Sequence, residues 1–530
     1  MKKFHLTSWK VRKGHKVVSH DTITYDGEEQ TLTWNNADRM IYNAENDGAR
    51  LSEKTAQGQL PDEEYVPATN AFDETMIESE MAKMTLLTRS DDFAVMPTEP
   101  TDADRVASDE MVAAAARYDV TKHLDSDAEA PVTGAEKKLS LIDMRGLDAD
   151  DPAWEDLLDQ LTVDEMELII TASGWGPPAT ASVDLPAVRT GDGPASLALT
   201  WAGVEGAVDA QTNAYVSEVA LACTWNTELA RRMGESVAME ALFLRDDVGY
   251  PYAGWYAPGA NIHRSPFGGR NFEYYSEDPL LSGKMCAAEI SGATGGGLYV
   301  MLKHFALNDQ ETYRGGWGYA SNNGVYTWAD EQTVREIYLR AFEIPVKEAE
   351  CTVRYIADTE GNMAERTIRA CTGLMTSFNA VGTTWAGSNA DLLTDVVRNE
   401  WNFDGVVITD FKNDGREYMD IDAMIRAGGD IALATVPDIT QGEQPLEVLA
   451  QDDPGTLVAM REACRHILYA TVYSNAMNGL APGSIISYTL APWQIVLVVV
   501  SVVVYAFAAF VAVMLVLRFA DTRRHPENYR

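Results

Sequence analysis

The chain has 530 residues, 46% of them hydrophobic, which supplies a large core and exceeds one ordinary domain unless that domain is a barrel. Its 42 basic and 80 acidic residues leave a net charge of −38, which repels nucleic acid and anionic membrane surfaces but not a neutral substrate. Cys223, Cys286, Cys351, Cys371 and Cys464 form no C-x-x-C pair and the histidines no H-E-x-x-H, so buried free thiols, no metal and no other cofactor are expected.

The basic stretch at residues 1–18 holds no apolar run of signal-peptide length. The alternating "DTITYDGEEQTLTW" that follows predicts strands. Residues 61–140 are acidic and rich in Pro, Ala, Ser and Thr, the composition of a partly disordered linker with some helix. From Leu139 the texture changes. "DPAWEDLLDQLTVDEMELII" has helical apolar spacing with Asp and Thr cap signals. Short apolar runs then alternate with amphipathic helices. The runs "VALACTW", "GGLYVMLKHFA", "GLMTSFNA", "GVVITDF" and "DIALA" are taken as strands, and "DPGTLVAMREACRHILYATVYSNAM" as the closing helix. Such alternation across residues 139–478 predicts an α/β domain with a parallel sheet, most simply a TIM-like (β/α)8 barrel. A doubly wound sheet is the alternative, but no G-x-G-x-x-G opens a helix after a strand. The Gly-rich "SGATGGGLYV" at residues 291–300 precedes a strand and is taken as a loop, not a phosphate cradle.

Beyond a linker at residues 479–492, residues 493–517 are almost wholly apolar and long enough to span a bilayer as one helix. Trp493 marks one edge, and Arg518, Arg523 and Arg524 follow the other. The positive-inside rule therefore places the basic tail, residues 518–530, in the cytoplasm and the barrel outside. Export needs a signal that the chain does not show, so either an upstream segment is missing or the helix inserts as a tail anchor.

In a barrel, residues at the C-terminal ends of strands build the active site. Asp410 closes "GVVITD", Lys303 and His304 close "LYVMLKH", and Asp192 follows a strand-like segment in "RTGDGPAS", so these groups are expected at one mouth. A carboxylate closing a buried strand is either a cap for the next element or a group placed for chemistry.

"APGANIHRSPFGGRNFEYYSEDPLLSGKMCAAEI", "LKHFALNDQETYR" and "GVVITDF" resemble the N-terminal catalytic barrel of glycoside hydrolase family 3, the β-glucosidase family, in the family's order. The resemblance implies a retaining hydrolase of terminal β-glycosidic bonds, acting on an oligosaccharide or an aryl or alkyl β-glycoside. In such enzymes one carboxylate attacks the anomeric carbon and a second carboxylic acid protonates the leaving oxygen. It makes Asp410 the nucleophile, and it makes Asp192, Arg270, Lys303, His304, Arg314 and Phe378 the sugar pocket. Glu273 and Asp278 are expected to fix loops. Phe378 stands where many members have a tyrosine, which removes a hydrogen bond near the nucleophile. The family's general acid is a Glu on an accompanying α/β sandwich, which in some members precedes the barrel. "TLLTRSDDFA" at residues 85–94 resembles the connector of those members. Residues 1–138 are therefore expected to be the remnant of an upstream domain plus a linker, with the acid/base Glu supplied by another chain or domain. A sugar-binding barrel without turnover, held at the membrane by its C-terminal helix, is the competing expectation.

Overall fold

In the computed structural model the predicted alternation becomes parallel strands with helices between them. The described residues are 18–25 and 28–35 (backbone), 71–72, 74–84, 107–115, 118–198, 212–244, 251–311, 314, 325–412, 418–434, 450–484, 486 and 492–529. The predicted N-terminal strands are an antiparallel hairpin, β1 (Val18–Tyr25) with β2 (Glu28–Asn35). Short helices α1 (Glu78–Met81) and α2 (Asp109–Ala114) fall in the linker, and the connector at residues 85–94 lies outside the described residues. The first predicted helix is two, α3 (Ala153–Leu158) and α4 (Val163–Ala172). The side chain of Thr162 caps α4 and Glu165 reaches back to the Thr162 amide.

Six strands carry the architecture. They are β3 (Arg189–Asp192), β4 (Tyr252–Tyr256), β5 (Tyr299–Val300), β6 (Leu302–Phe305), β10 (Gly373–Thr376) and β13 (Val406–Ile408). β3, β4 and β5 pair in parallel, as do β6, β10 and β13, and a parallel bridge from Gly259 to Lys303 joins the two sets. Chain order is thus spatial order, as in a barrel wall. The ring does not close among the described residues, which hold small separate sheets where a complete (β/α)8 barrel was expected. β7 (Tyr326–Thr327), β11 (Ala380–Val381) and β12 (Thr384–Trp385) form one of these, and β8 (Glu350–Ile356) with β9 (Met363–Arg369) an antiparallel hairpin.

Other expectations need correcting. "VALACTW" is not a strand: Glu218–Ala222 is a helix, α5, followed by α6 (Thr227–Phe243). "DIALA" contributes only bridges, Ile431 to Ile408 and Ala434 to Lys412. The first half of the Gly-rich stretch is the end of α7 (Pro279–Gly295), a turn at Gly296 and Gly297 follows, and Tyr299–Val300 is β5. Its glycines serve contact between helices. A Cβ at Gly292 would strike the Arg231 carbonyl of α6, and one at Gly234 of α6 would strike the Glu289 carbonyl of α7. Cys286, Cys371 and Cys464 are buried free thiols, but Cys351 is half-buried and Cys223 exposed.

The core lies on both sides of the strands. Phe305 of β6 meets Phe342 at 5.2 Å and Trp401 at 5.7 Å between ring centroids. Trp154, Leu157 and Leu158 of α3 belong to a second cluster with Val406 and Ile408. Beneath the strands, buried Asp430 accepts from the Val407 amide (2.6 Å) and Arg398 (2.7 Å) and pairs with His466 Nδ1 (2.8 Å). Replacing Asp430 by Ala takes this acceptor from the buried Val407 amide and His466 and leaves Arg398 with carbonyl partners but no carboxylate. Asp430→Ala is expected to cost about 3–5 kcal/mol, read as a lowered midpoint in denaturant unfolding.

Residues 484–530 form a unit of their own. It contains the helix Pro492–Arg524, whose apolar side chains are not buried by protein and whose length and composition suffice to cross a membrane. Arg518, Arg523 and Arg524 lie in its last turns.

Candidate active site

Four of the predicted site residues sit in or just after short strands. Asp192 is the last residue of β3, Lys303 and His304 lie in β6, and Asp410 follows β13 by two positions. Parallel pairing puts these ends on one side, and the backbone continues the alignment, since the Asp410 amide donates to the Thr376 carbonyl at 2.9 Å.

Asp410 is 9% exposed, and its two oxygens have different surroundings. Oδ1 accepts from the Phe411 amide at 2.7 Å, which fixes the carboxylate. Oδ2 has no hydrogen-bond partner among the described residues. Two nitrogens face it, His304 Nε2 and Arg314 Nη1, each at 3.9 Å, too far for a direct hydrogen bond. One oxygen is thus anchored while the other is free, buried and near positive charge. The site holds a carboxylate with one oxygen fixed and the other unengaged.

Lys303 pairs with Asp192. Its ammonium, 4% exposed, meets Asp192 Oδ1 at 2.8 Å and the Gly193 carbonyl at 3.2 Å. Asp192 remains 29% exposed, so this pair reaches solvent through its carboxylate. Charged hydrogen-bonding groups held this way recognise hydroxyls strongly.

His304 is clamped by the Asn261 carboxamide, which accepts from its backbone N–H (2.7 Å) and donates to its carbonyl (3.0 Å). Burial, reinforced by Arg270, Lys303 and Arg314, holds the imidazole well below its ordinary range and therefore neutral. Arg314 lies over the Phe378 ring at 4.7 Å and donates through Nε to Glu311 at 3.0 Å. Burial pushes the Glu311 carboxyl up, against the pull of Arg314 and Arg270. Arg270 makes a two-point ion pair with Glu273, and Asp278 caps α7 by accepting from the Leu280 and Leu281 amides.

The structure thus brings Asp192, Arg270, Lys303, His304, Arg314, Phe378 and Asp410 into one neighbourhood. Sequence reasoning missed the supports: Asn261, which clamps His304; Glu311, which holds Arg314; and Tyr274, whose hydroxyl lies 3.2 Å from His304 Nδ1. All three stand inside or beside the quoted motifs, but nothing local marks their partners. A cavity of about 680 Å³ elsewhere, lined by Arg398, Arg426, Arg465 and His466, is not this site. Its arginines are already engaged with carboxylates and carbonyls.

The family model described as the glycosyl hydrolase family 3 N terminal domain matches residues 186–468. Beta-glucosidase A of Butyrivibrio fibrisolvens is 33% identical over 286 residues, 53% of this chain and 29% of that protein. Beta-glucosidase B of Emericella nidulans is 34% identical over 322 residues, 60% of this chain and 33% of the relative. A solved β-glucosidase from Paenibacillus barengoltzii is similar with a TM-score of 0.50 and 28% identity, over 69% of this chain and 37% of that one. The chain spans about a third of the length of the curated relatives it matches.

Proposed function

The chain belongs to glycosyl hydrolase family 3, and we propose that residues 139–478 are the nucleophile-bearing part of a retaining exo-β-glycosidase of the β-glucosidase type. The observation that carries this reading is the asymmetry at Asp410, with Oδ1 held by the Phe411 amide and Oδ2 unengaged beside two N–H groups. Oδ2 attacks the anomeric carbon, a C–O bond forms to Asp410, and the bond to the aglycone breaks with its electron pair leaving on oxygen. Asp192 and Lys303 bind hydroxyls of the sugar, and His304 and Arg314 donate next to the nucleophile. Phe378 presents a ring where a hydroxyl would add a hydrogen bond.

The leaving oxygen needs a proton. Two other carboxylates beside Asp410, Glu273 and Glu311, are committed to Arg270 and Arg314. We assign the acid to a Glu on another domain or chain, with residues 1–138 as the stretch linking toward it. The helix Pro492–Arg524 anchors the protein in the membrane with Arg518, Arg523 and Arg524 in the cytoplasm and the barrel outside. The same two arginine-bound glutamates favour a second reading, a barrel that binds sugar at the membrane without turning it over.

Trapping separates these readings. A 2-fluoro-glucoside with a good leaving group is expected to add one glycosyl mass to the full chain, on the peptide that contains Asp410. Glucose binding without any adduct would leave only the binding reading.

A further inference from the structure

His304 has two ring nitrogens and, being neutral, one proton to place. Nε2 faces Asp410 Oδ2 at 3.9 Å, and Nδ1 faces the Tyr274 hydroxyl at 3.2 Å. With the proton on Nδ1, the lone pair of Nε2 would point at a carboxylate. With the proton on Nε2, the site presents a donor there and Nδ1 must accept from something. Among the described residues Tyr274 is the group in reach. It is 3% exposed, its ring stands edge-on to the imidazole at 81°, and burial raises its phenol far above the ordinary range, so it keeps its proton to donate. The Asn261 clamp stops the His304 backbone from moving away from this geometry.

We propose that Tyr274 is a positioning residue of the active site: its phenol donates to Nδ1 of His304 and so keeps the imidazole proton on Nε2, next to Asp410. His304 then acts as a fixed hydrogen-bond donor toward the sugar hydroxyl that occupies the gap in front of Oδ2. The kinetic consequence rests on the proposed glycosidase function; the tautomer itself does not.

The test uses the full chain in detergent with ¹⁵N-labelled histidine, the His304 signals being identified by their loss in His304→Gln. The wild type is expected to show the Nε2–H tautomer, with an Nδ1 shift characteristic of an accepted hydrogen bond. Tyr274→Phe is expected to lose that shift and populate Nδ1–H. Its kcat on an activated aryl β-glucoside should fall about 10- to 100-fold, with KM changing less and Tm little changed. A wild-type Nδ1–H tautomer overturns the proposal, even if the variant does not fold. So does an unchanged His304 spectrum in Tyr274→Phe. Absence of turnover by the wild type would count against the enzyme reading alone, and the spectrum would still decide the role of Tyr274.

Discussion

In Asp410→Ala, release of phenol from an activated aryl β-glucoside is expected to fall to background, a loss of at least about 10³-fold. The substitution removes the carboxylate oxygen that, among the described residues, is left unengaged beside His304 and Arg314. Oδ2 is buried and unpartnered, and the groups facing it, His304 and Arg314, donate rather than accept, so neither replaces it as a nucleophile. The same wild-type chain is expected to leave an unactivated disaccharide intact. A phenolate with electron-withdrawing groups departs without protonation, whereas a sugar alkoxide does not. Supplying the acid-bearing partner should restore disaccharide cleavage. Cleavage of the disaccharide by the chain alone would put the acid within it, and Glu311, the carboxyl raised by burial beside Arg314, would be the residue to replace. Equal phenol release by Asp410→Ala would remove Asp410 as the nucleophile.

Glu289→Gln is expected to stabilise the folded chain at alkaline pH by several degrees in Tm, of the order of 5 °C. Glu289 of α7 and Glu218 of α5 are both fully buried. The Tyr275 hydroxyl donates to one Glu289 oxygen at 2.6 Å, while the other oxygen and both oxygens of Glu218 have no partner among the described residues. Burial pushes Glu289 up to about 8, and burial plus repulsion from Glu289 raises Glu218 as well. The unfolded carboxyl ionises near 4.5, so folding takes up a proton between that pH and about 8. Stability present below the unfolded value is therefore lost as pH rises through this window, by about 1.4 kcal/mol per pH unit for one group. Glutamine keeps an acceptor for Tyr275 and has no charge to bury, so the Tm difference between variant and wild type should open from pH 5 to pH 8 and then level off. A difference that does not vary with pH would mean that Glu289 is ionised in the folded protein.

Asp410, Lys303 and His304 were legible because each stands at a discontinuity in the chain, a polar group ending an apolar run. Asp410 after "GVVIT" and Lys303 and His304 after "LYVML" need only the rule that parallel strand ends converge, whereas Asp192 after the strand-like "RTG", and Arg270, Arg314 and Phe378, gained their roles from the family resemblance. The N-terminal strands were legible from alternation, and their antiparallel pairing was not. The hairpin of β8 and β9 was overlooked, although "ECTVRYI" alternates and Gly361 takes the positive φ of its turn. "VALACTW" was misassigned because a short, uniformly apolar run has no period, and its place beside α7 makes it a helix. The partners of the site residues depend on contacts across the fold. Asn261 reaches His304 from 43 positions away and Tyr274 from 30, and neither separation leaves a mark in local pattern. Glu218 and Glu289 are ordinary charges in the chain. They become a buried acid pair because glycines let α6 and α7 touch and α5 packs alongside α7. Residue type and periodicity therefore determine which groups can do chemistry. Which proton sits on which nitrogen, and which carboxyl stays neutral, depend on desolvation and on neighbours that only folding brings within hydrogen-bond range.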